Sequence, residues 1–330
     1  MKVCVVGAGA IGGFLGTHIS QLEEVNLSVL ARGETLTALK KNGWRLQTNG
    51  KLITAKVNAR DKASDLKEQD LIIIAVKGPA LLEIADIIKP LIGKDTIILP
   101  AINGVPWWFL EHCKDINNTS LESINPNNKI SQNIPLDNIL GVVVHLAASQ
   151  IEPAIIEHKM GNTLIIGEPK GGKSQRVENI AKLLSKAGFD VLVSDNIRED
   201  IWYKLWGNMT INPISAITGA TADLILSDKL VRDFCSKVMY EAATIGAKID
   251  CPIDEEPESR HEMTAKLGAF KTSMLQDVES NRQIELDTIV AVVSEIGKRV
   301  DVDTPNIDAL LGITRLFAQV HDLYPKNLKQ

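Results

Sequence analysis

The sequence predicts an α/β domain built on a parallel sheet, residues 1–196, followed by an all-α domain, residues 197–330. Three observations predict this. A short β-branched run, Lys2 to Val6, leads directly into the turn Gly7-Ala8-Gly9-Ala10-Ile11-Gly12 and then into a helical pattern from Gly13 to about Leu22. Strand-like and helix-like segments alternate from there to about Asn196. Beyond Asn196 the strand pattern stops, and only helical periodicity remains.

A lone GxGxxG is a weak signal. Here it lies between a strand and a helix, with a second strand, Leu27 to Leu30, shortly after, which makes the domain Rossmann-type and dinucleotide-binding. Gly7 permits the tight turn, Gly9 lets the backbone approach a pyrophosphate, and Gly12 allows close helix–strand packing. The helix N-terminus then offers N–H groups to phosphate. The position twenty past Gly12, where an acid would hold the 2′-hydroxyl of NAD, is Arg32. A guanidinium matches phosphate bidentately, so NADPH/NADP+ is the expected cofactor, with Glu34 beyond Gly33 as the opposing observation.

The next segments read in order. Trp44 to Thr48 and Leu52 to Asn58 form a β-hairpin around Asn49-Gly50. Asp70 to Val76 is a buried strand with Lys77 at its C-terminal end, Pro79 to Leu91 a helix, and Thr96 to Ile102 a strand ending at Asn103-Gly104. Ligands of open α/β sheets sit outside the carboxyl ends of strands, where Lys77 and Asn103 stand. Lys77 reads equally as a solvated loop lysine, and Asn103-Gly104 as turn chemistry. Trp107, Trp108 and Phe109 precede a polar excursion, Glu111 to Asn138, which reads as a long exposed loop or lid. Strands at Ile139 to Ala147, Ala154 to His158 and Thr163 to Ile166 form an antiparallel extension, with His145 as a structural histidine. A helix, Lys173 to Ala187, and a strand, Asp190 to Ser194, end the domain.

The helical domain opens with Ile201 to Ala216. Apolar Ile201, Leu205, Met209, Ile211 and Ile214 give one buried side. Lys204, Asn208 and Asn212, at i, i+4 and i+8, climb another face, carrying an amine and two carboxamides but no carboxylate. Pro213 is expected to kink or break the helix just after Asn212. Helices follow at Leu226 to Ile249, ended by Cys251-Pro252, and at Ile284 to Val300. Lys271 to Asp277 and a loop at Val278 to Arg282 lie between them, after an acidic turn at Asp254 to Pro257. Glu285 stands in a first helical turn, where a carboxylate also suits the helix dipole. Pro305 and a helix from Asp308 to His321 close the chain.

Composition sets limits on function. The chain has 330 residues, 45% hydrophobic and 23% charged, as expected for two globular domains. Its net charge of −5 and pI near 5.8 leave no basic patch for nucleic acid or a membrane surface. Cys4, Cys113, Cys235 and Cys251 show no CxxC spacing and read as free thiols in a reducing compartment. There is no signal-peptide layout, and apolar runs such as Leu71 to Val76 are too short to span a bilayer. A cytoplasmic location is therefore expected, where the N-x-S/T matches at Asn117 and Asn118 carry no glycosylation. No metal site is read from the sequence.

Together the motifs resemble the ketopantoate reductase (2-dehydropantoate 2-reductase) family over nearly the whole chain. The resemblance rests on GAGAIGG at Gly7 to Gly13, Arg32, Val76-Lys77, Asn103-Gly104, the KLxxNxxINPxSA pattern at Lys204 to Ala216, and Ser273 to Asp277 followed by Glu285. It implies a cofactor domain joined to a helical domain with catalysis in the cleft, and Lys204 as proton donor to the substrate ketone. It further implies substrate binding by Asn103, Asn208, Asn212 and Ser273. For the cofactor it implies contacts from the turn residues Gly7, Ala8, Gly9, Ala10, Ile11 and Gly12, from Arg32, Lys77, Asn103 and Glu285, and from Ala147 through its backbone. The function so implied is NADPH-dependent reduction of a small 2-oxo acid, ketopantoate to (R)-pantoate in pantothenate and coenzyme A biosynthesis, with a homodimer as the assembly to test. Ala222, which stands where some members have a further asparagine, and the Trp107-Trp108 pair keep another branched 2-oxo acid open as substrate. A non-catalytic NADPH-sensing regulator is the rival of a different class; a sensor has no use for the lysine.

Overall fold

The computed structural model describes residues 1–113, 116 and 120–326, so the matches at Asn117 and Asn118 lie outside the described residues. The chain divides into two compact units, Met1–Ile102 with Asn128–Asp200, and Asn103–Asn127 with Ile201–Gln330.

The first unit contains two five-stranded sheets. In the parallel sheet, β1 (Lys2–Val6) lies between β2 (Asn26–Leu30) and β6 (Leu71–Ile74), with β5 (Asn58–Arg60) and β7 (Ile97–Pro100) at the edges. The strand expected to run from Leu52 to Asn58 is in fact two. β4 (Lys51–Ala55) pairs antiparallel with β3 (Trp44–Thr48), whereas β5 crosses to the parallel sheet beside β2. The turn between β3 and β4 is Asn49-Gly50, both at positive φ (48° and 70°), as a two-residue hairpin requires. The second sheet is ordered β10-β9-β3-β4, with β8 (Gly141–Glu152) antiparallel to β9 (Ile155–Gly167) and β10 (Asp190–Val193) parallel to it. The two strands expected at Ala154 to His158 and Thr163 to Ile166 are thus the single strand β9, and they belong to a separate sheet instead of extending the first. His145, expected as a structural histidine in an apolar strand, is exposed on β8.

Helix α1 (Ala10–Ile19) is buried along most of its length and touches β1 as well as β3, β8 and β9. Its glycines make that possible. A methyl group at Gly12 would stand 2.0 Å from the Gly7 carbonyl oxygen, one at Gly13 2.5 Å from Ile156, and one at Gly16 2.3 Å from the Trp44 ring. The core consists of Val3, Val5, Leu71, Ile73 and Leu99 with Phe14, Leu15 and Ile19. Helices α2 (Gly33–Asn42), α3 (Gly78–Ile87) and α4 (Gln175–Lys186) complete the unit.

The excursion expected as a lid is fastened down. Leu121, Ile124, Ile130 and Ile134 are buried. In the first unit Asn138 Nδ2 donates to the Thr96 carbonyl at 2.7 Å, and Asn133 Nδ2 to Asp86 at 2.6 Å. In the second unit Glu295, on α10 (Val292–Arg299), accepts from the backbone N–H of Glu122 and Ser123 at 2.8 and 2.9 Å. Asparagine and serine that looked like loop composition act here as anchors.

The second unit is helical. Helix α5 spans Ile197–Thr218 and runs through Pro213, correcting the expected break. Every residue from 209 to 216 is buried, so packing on all sides outweighs the one missing N–H. Trp202 and Trp206 donate through Nε1 to the Ala242 and Met239 carbonyls of α7 (Lys229–Lys248), at 3.2 and 2.8 Å. The helix expected from Leu226 is split into α6 (Ala222–Ser227) and α7 by Asp228, whose carboxylate caps α7 by accepting from Leu230 and Val231 N–H. Helix α8 (Pro257–Ala265) was not expected; its mixed polar surface has little apolar periodicity. Helices α9 (Ser273–Glu279) and α11 (Pro305–Val320) lie on either side of a π-turn, Asp287–Ala291, that leads into α10. No helix among the described residues is long and apolar enough to cross a membrane.

The α1 geometry makes a stability prediction. Gly12→Ala forces α1 away from the Gly7 carbonyl and should cost about 1–3 kcal/mol in urea unfolding. Gly9, whose added methyl would meet nothing within 4 Å, should tolerate alanine within roughly 0.5 kcal/mol.

Candidate active site

In the second unit, the chemistry gathers around Lys204. Its Nζ donates to Asn103 Oδ1 at 3.1 Å. Burial pushes its pKa down to about 8, and the negative charge of Glu285 opposes that fall. The residue as a whole keeps some exposure, so the desolvation bears on the ammonium end of the side chain. On α5, Trp202 and Trp206 point toward α7, roughly opposite Lys204 around the helix axis. This explains why a polar stripe can stand between tryptophans.

Asn103 is positioned by backbone geometry. Gly104 has φ +82°, and a methyl group there would stand 2.0 Å from the Thr288 carbonyl oxygen. That same oxygen accepts from Val105 N–H at 2.8 Å. The turn at Asn103-Gly104 therefore docks on the π-turn, and only glycine fits at this close approach. π-turns occur often at functional sites. Leu323 and Tyr324 hold this turn and the segment that leads into it. Ile284 N–H donates to the Leu323 carbonyl at 3.1 Å, and the Tyr324 hydroxyl donates to Asp287. Burial raises the Asp287 pKa, an effect the Tyr324 hydrogen bond opposes. Glu285 precedes the first helical residue, Leu286, so it stands outside the turn in which it was expected.

Asn208 and Asn212 continue the stripe along α5, and neither side chain has a hydrogen-bond partner among the described residues. Asn212 is 6% exposed. Ser273 is exposed at the start of α9, whose cap is the Thr272 hydroxyl, and it makes no hydrogen bond to the stripe among the described residues. Lys204, Asn103 and Glu285 are thus brought together.

The remaining sequence candidates lie in the first unit. Gly7 has φ +100° and packs against the Ala75 carbonyl, whereas Gly9, which precedes α1, borders open space. Ala8, Ala10 and Ile11 complete the turn into the helix. Such a turn fits a dinucleotide: the backbone is accessible where a pyrophosphate would approach, and tight where helix meets strand. Arg32 lies just beyond β2 and precedes α2. Its guanidinium forks onto Glu83 of α3, at 2.6 and 3.2 Å, which holds the Glu83 carboxyl below its usual range. The Arg32 side chain is 62% exposed. Lys77 precedes α3 at the end of β6. Ala147 stands in β8 between two register shifts, in the second sheet. Sequence reasoning did not reach Glu83, whose relation to Arg32 spans 51 residues, or Thr288.

The four cysteines are buried and none is in a disulfide, and burial pushes the Cys4 and Cys235 thiols up to about 12, so these two are structural.

Known proteins resemble this chain over nearly its whole length. Residues 3–171 match the family model Ketopantoate reductase PanE/ApbA, and residues 196–318 match Ketopantoate reductase PanE/ApbA C terminal. A Mesorhizobium japonicum protein named 2-dehydropantoate 2-reductase is 38% identical over 325 residues, covering 98% of this chain and 100% of that one. A crystal structure from Ralstonia solanacearum MolK2, named for the ketopantoate reductases, is 49% identical with a TM-score of 0.95, covering 98% of this chain and 99% of the other. D-mandelate dehydrogenase in a ternary structure with NADH and anilino(oxo)acetate is 23% identical with a TM-score of 0.83, covering 98% and 100%, a likeness of fold. This chain belongs to the ketopantoate reductase family.

Proposed function

We propose that this protein reduces a small 2-oxo acid with NADPH, ketopantoate being the substrate and pantoate the product. One observation carries the reading: Lys204, held by Asn103 and desolvated to a pKa of about 8, is an ammonium ready to give up its proton near neutral pH. Its charge stabilises an alkoxide developing on the ketone oxygen, and its proton then completes the alcohol. Asn208 and Asn212 donate to substrate oxygens without adding charge, and Asn103 and Ser273 complete the substrate set. The cofactor set is the turn from Gly7 to Gly12, Arg32 for the 2′-phosphate, Lys77, Asn103, Glu285 and the backbone of Ala147. NADPH, when bound, supplies the hydride. A homodimer and a cytoplasmic location belong to the same proposal.

The test is NADPH consumption by purified protein with ketopantoate beside other branched 2-oxo acids. Turnover of another acid alone changes the substrate. No turnover with any of them, despite NADPH binding, leaves the sensor reading.

Lys204→Ala should lower kcat by about 10²–10⁴-fold, with NADPH affinity and Tm kept. In wild type the protonated lysine is the active form, so activity should hold below pH about 8 and fall above it. That alkaline limb should be absent from the variant. A kcat within a few-fold of wild type would remove Lys204 from the chemistry.

Arg32→Ala should weaken NADPH by roughly tenfold and leave NADH nearly unchanged, the low end for a charge-assisted contact. The guanidinium is largely exposed and must first leave Glu83, which limits its gain from the phosphate. Equal loss of both cofactors, read by fluorescence titration, would reject the assignment.

A further inference from the structure

Helix α8 carries a guanidinium with no anion. Arg260 lies over the Tyr203 ring, its Cζ 4.8 Å from the centroid. It also lies against Gly207 of α5, where an added methyl would stand 2.8 Å from Arg260 Nε and 3.2 Å from Nη2. The Nε–H is buried without an acceptor. Its Nη1 donates to the Met263 sulfur at 3.6 Å, a weak acceptor, and the guanidinium also hydrogen-bonds the Tyr203 hydroxyl, a neutral partner. Three acids around α8 are engaged elsewhere. Glu255 accepts from the Tyr203 hydroxyl at 2.5 Å, Glu256 accepts from the Tyr240 hydroxyl at 2.7 Å, and Glu258 is paired with Arg232. Among the described residues Arg260 forms no ion pair.

One N–H of this guanidinium is buried with no acceptor, and a buried polar group left unsatisfied needs an explanation, a bound anion being one. Guanidinium is the side chain whose planar fork matches a carboxylate. Gly207 sits three residues after Lys204 and one before Asn208, roughly 60° around the helix from Lys204. The missing side chain at 207 lets the fork lie close to the helix on this side. We propose that Arg260 recognises the carboxylate of the 2-oxo acid whose ketone Lys204 protonates, and that Gly207 is the space that lets it do so. The inference rests on the reductase reading above and adds the group that selects acids over neutral ketones.

The test compares wild type with Arg260→Ala, Arg260→Lys and Gly207→Ala, the last of which displaces the fork while keeping its charge. Two quantities are measured: calorimetric binding of oxamate in the presence of NADP+, and kcat/KM for the 2-oxo acid divided by that for its carboxamide. Arg260→Ala and Gly207→Ala should each weaken oxamate by roughly 10- to 100-fold, the range for a charge-assisted contact. Both should lower the acid-to-amide ratio by a similar factor, with the carboxamide rate, NADPH affinity and Tm little changed. Arg260→Lys should recover part of the loss. A merely structural arginine would lower acid and amide rates together and leave the ratio alone. An unchanged ratio in an active Arg260→Ala enzyme overturns the role of Arg260 while the reductase reading stands, and so does an absence of oxamate binding to wild type. A wild type that binds oxamate through Arg260 but turns over no 2-oxo acid overturns the reductase reading instead.

Discussion

Desolvating the Lys204 ammonium makes it easier to deprotonate, and the pKa of about 8 measures that cost. Left alone, a buried lysine would simply lose its proton. Two neighbours keep it charged: the Asn103 carbonyl oxygen that accepts its hydrogen bond, and the negative charge of Glu285. Much of the local architecture serves to hold those two in place. Asn103 depends on Gly104 lying flush against the Thr288 carbonyl, and Thr288 depends on the π-turn. The π-turn in turn is held by Leu323 and Tyr324 near the end of the chain. A buried ammonium on one helix is thus tuned by segments distant in sequence.

The first unit works under a different constraint, that of space. Helix α1 can lie against two sheets because Gly12, Gly13 and Gly16 present no side chain where Gly7, Ile156 and Trp44 come close. Gly9 has the opposite surroundings, with open space where its side chain would be. The same residue type therefore serves packing at one end of the motif and access at the other. Arg32 is already engaged by the Glu83 carboxylate, so a phosphate brought to it would have to displace that partner.

Where sequence and structure part, one cause recurs. Pro213 does not end α5 because the surrounding burial outweighs a local preference. The described part of the polar stretch from Leu121 on is no lid because Leu121, Ile124, Ile130 and Ile134 are buried and Asn133 and Asn138 donate to a distant carboxylate and a distant carbonyl. Asp228 divides a run of helical periodicity because its carboxylate caps a new helix. The short strand Asn58–Arg60 leaves the hairpin that precedes it because it completes the parallel sheet beside β2. Local pattern registered the residues, and long-range partners fixed their use.

The sequence by itself determined the alternation of strands and helices to about Asn196 and the helical stretch after it, the glycine turn, the Asn49-Gly50 hairpin and the placing of Lys204, Asn208 and Asn212 on one helical face. These follow from periods of two and 3.6 residues and from glycine's freedom at positive φ, all of which act over a few residues. Only the tertiary structure decided that Asn103 groups with the helical unit and meets Lys204 across 101 residues of chain, that burial brings that lysine's pKa to about 8, and that Arg260 lies on Gly207 without an anion. Desolvation and charge pairing depend on which groups are close in space, and no local sequence pattern encodes that.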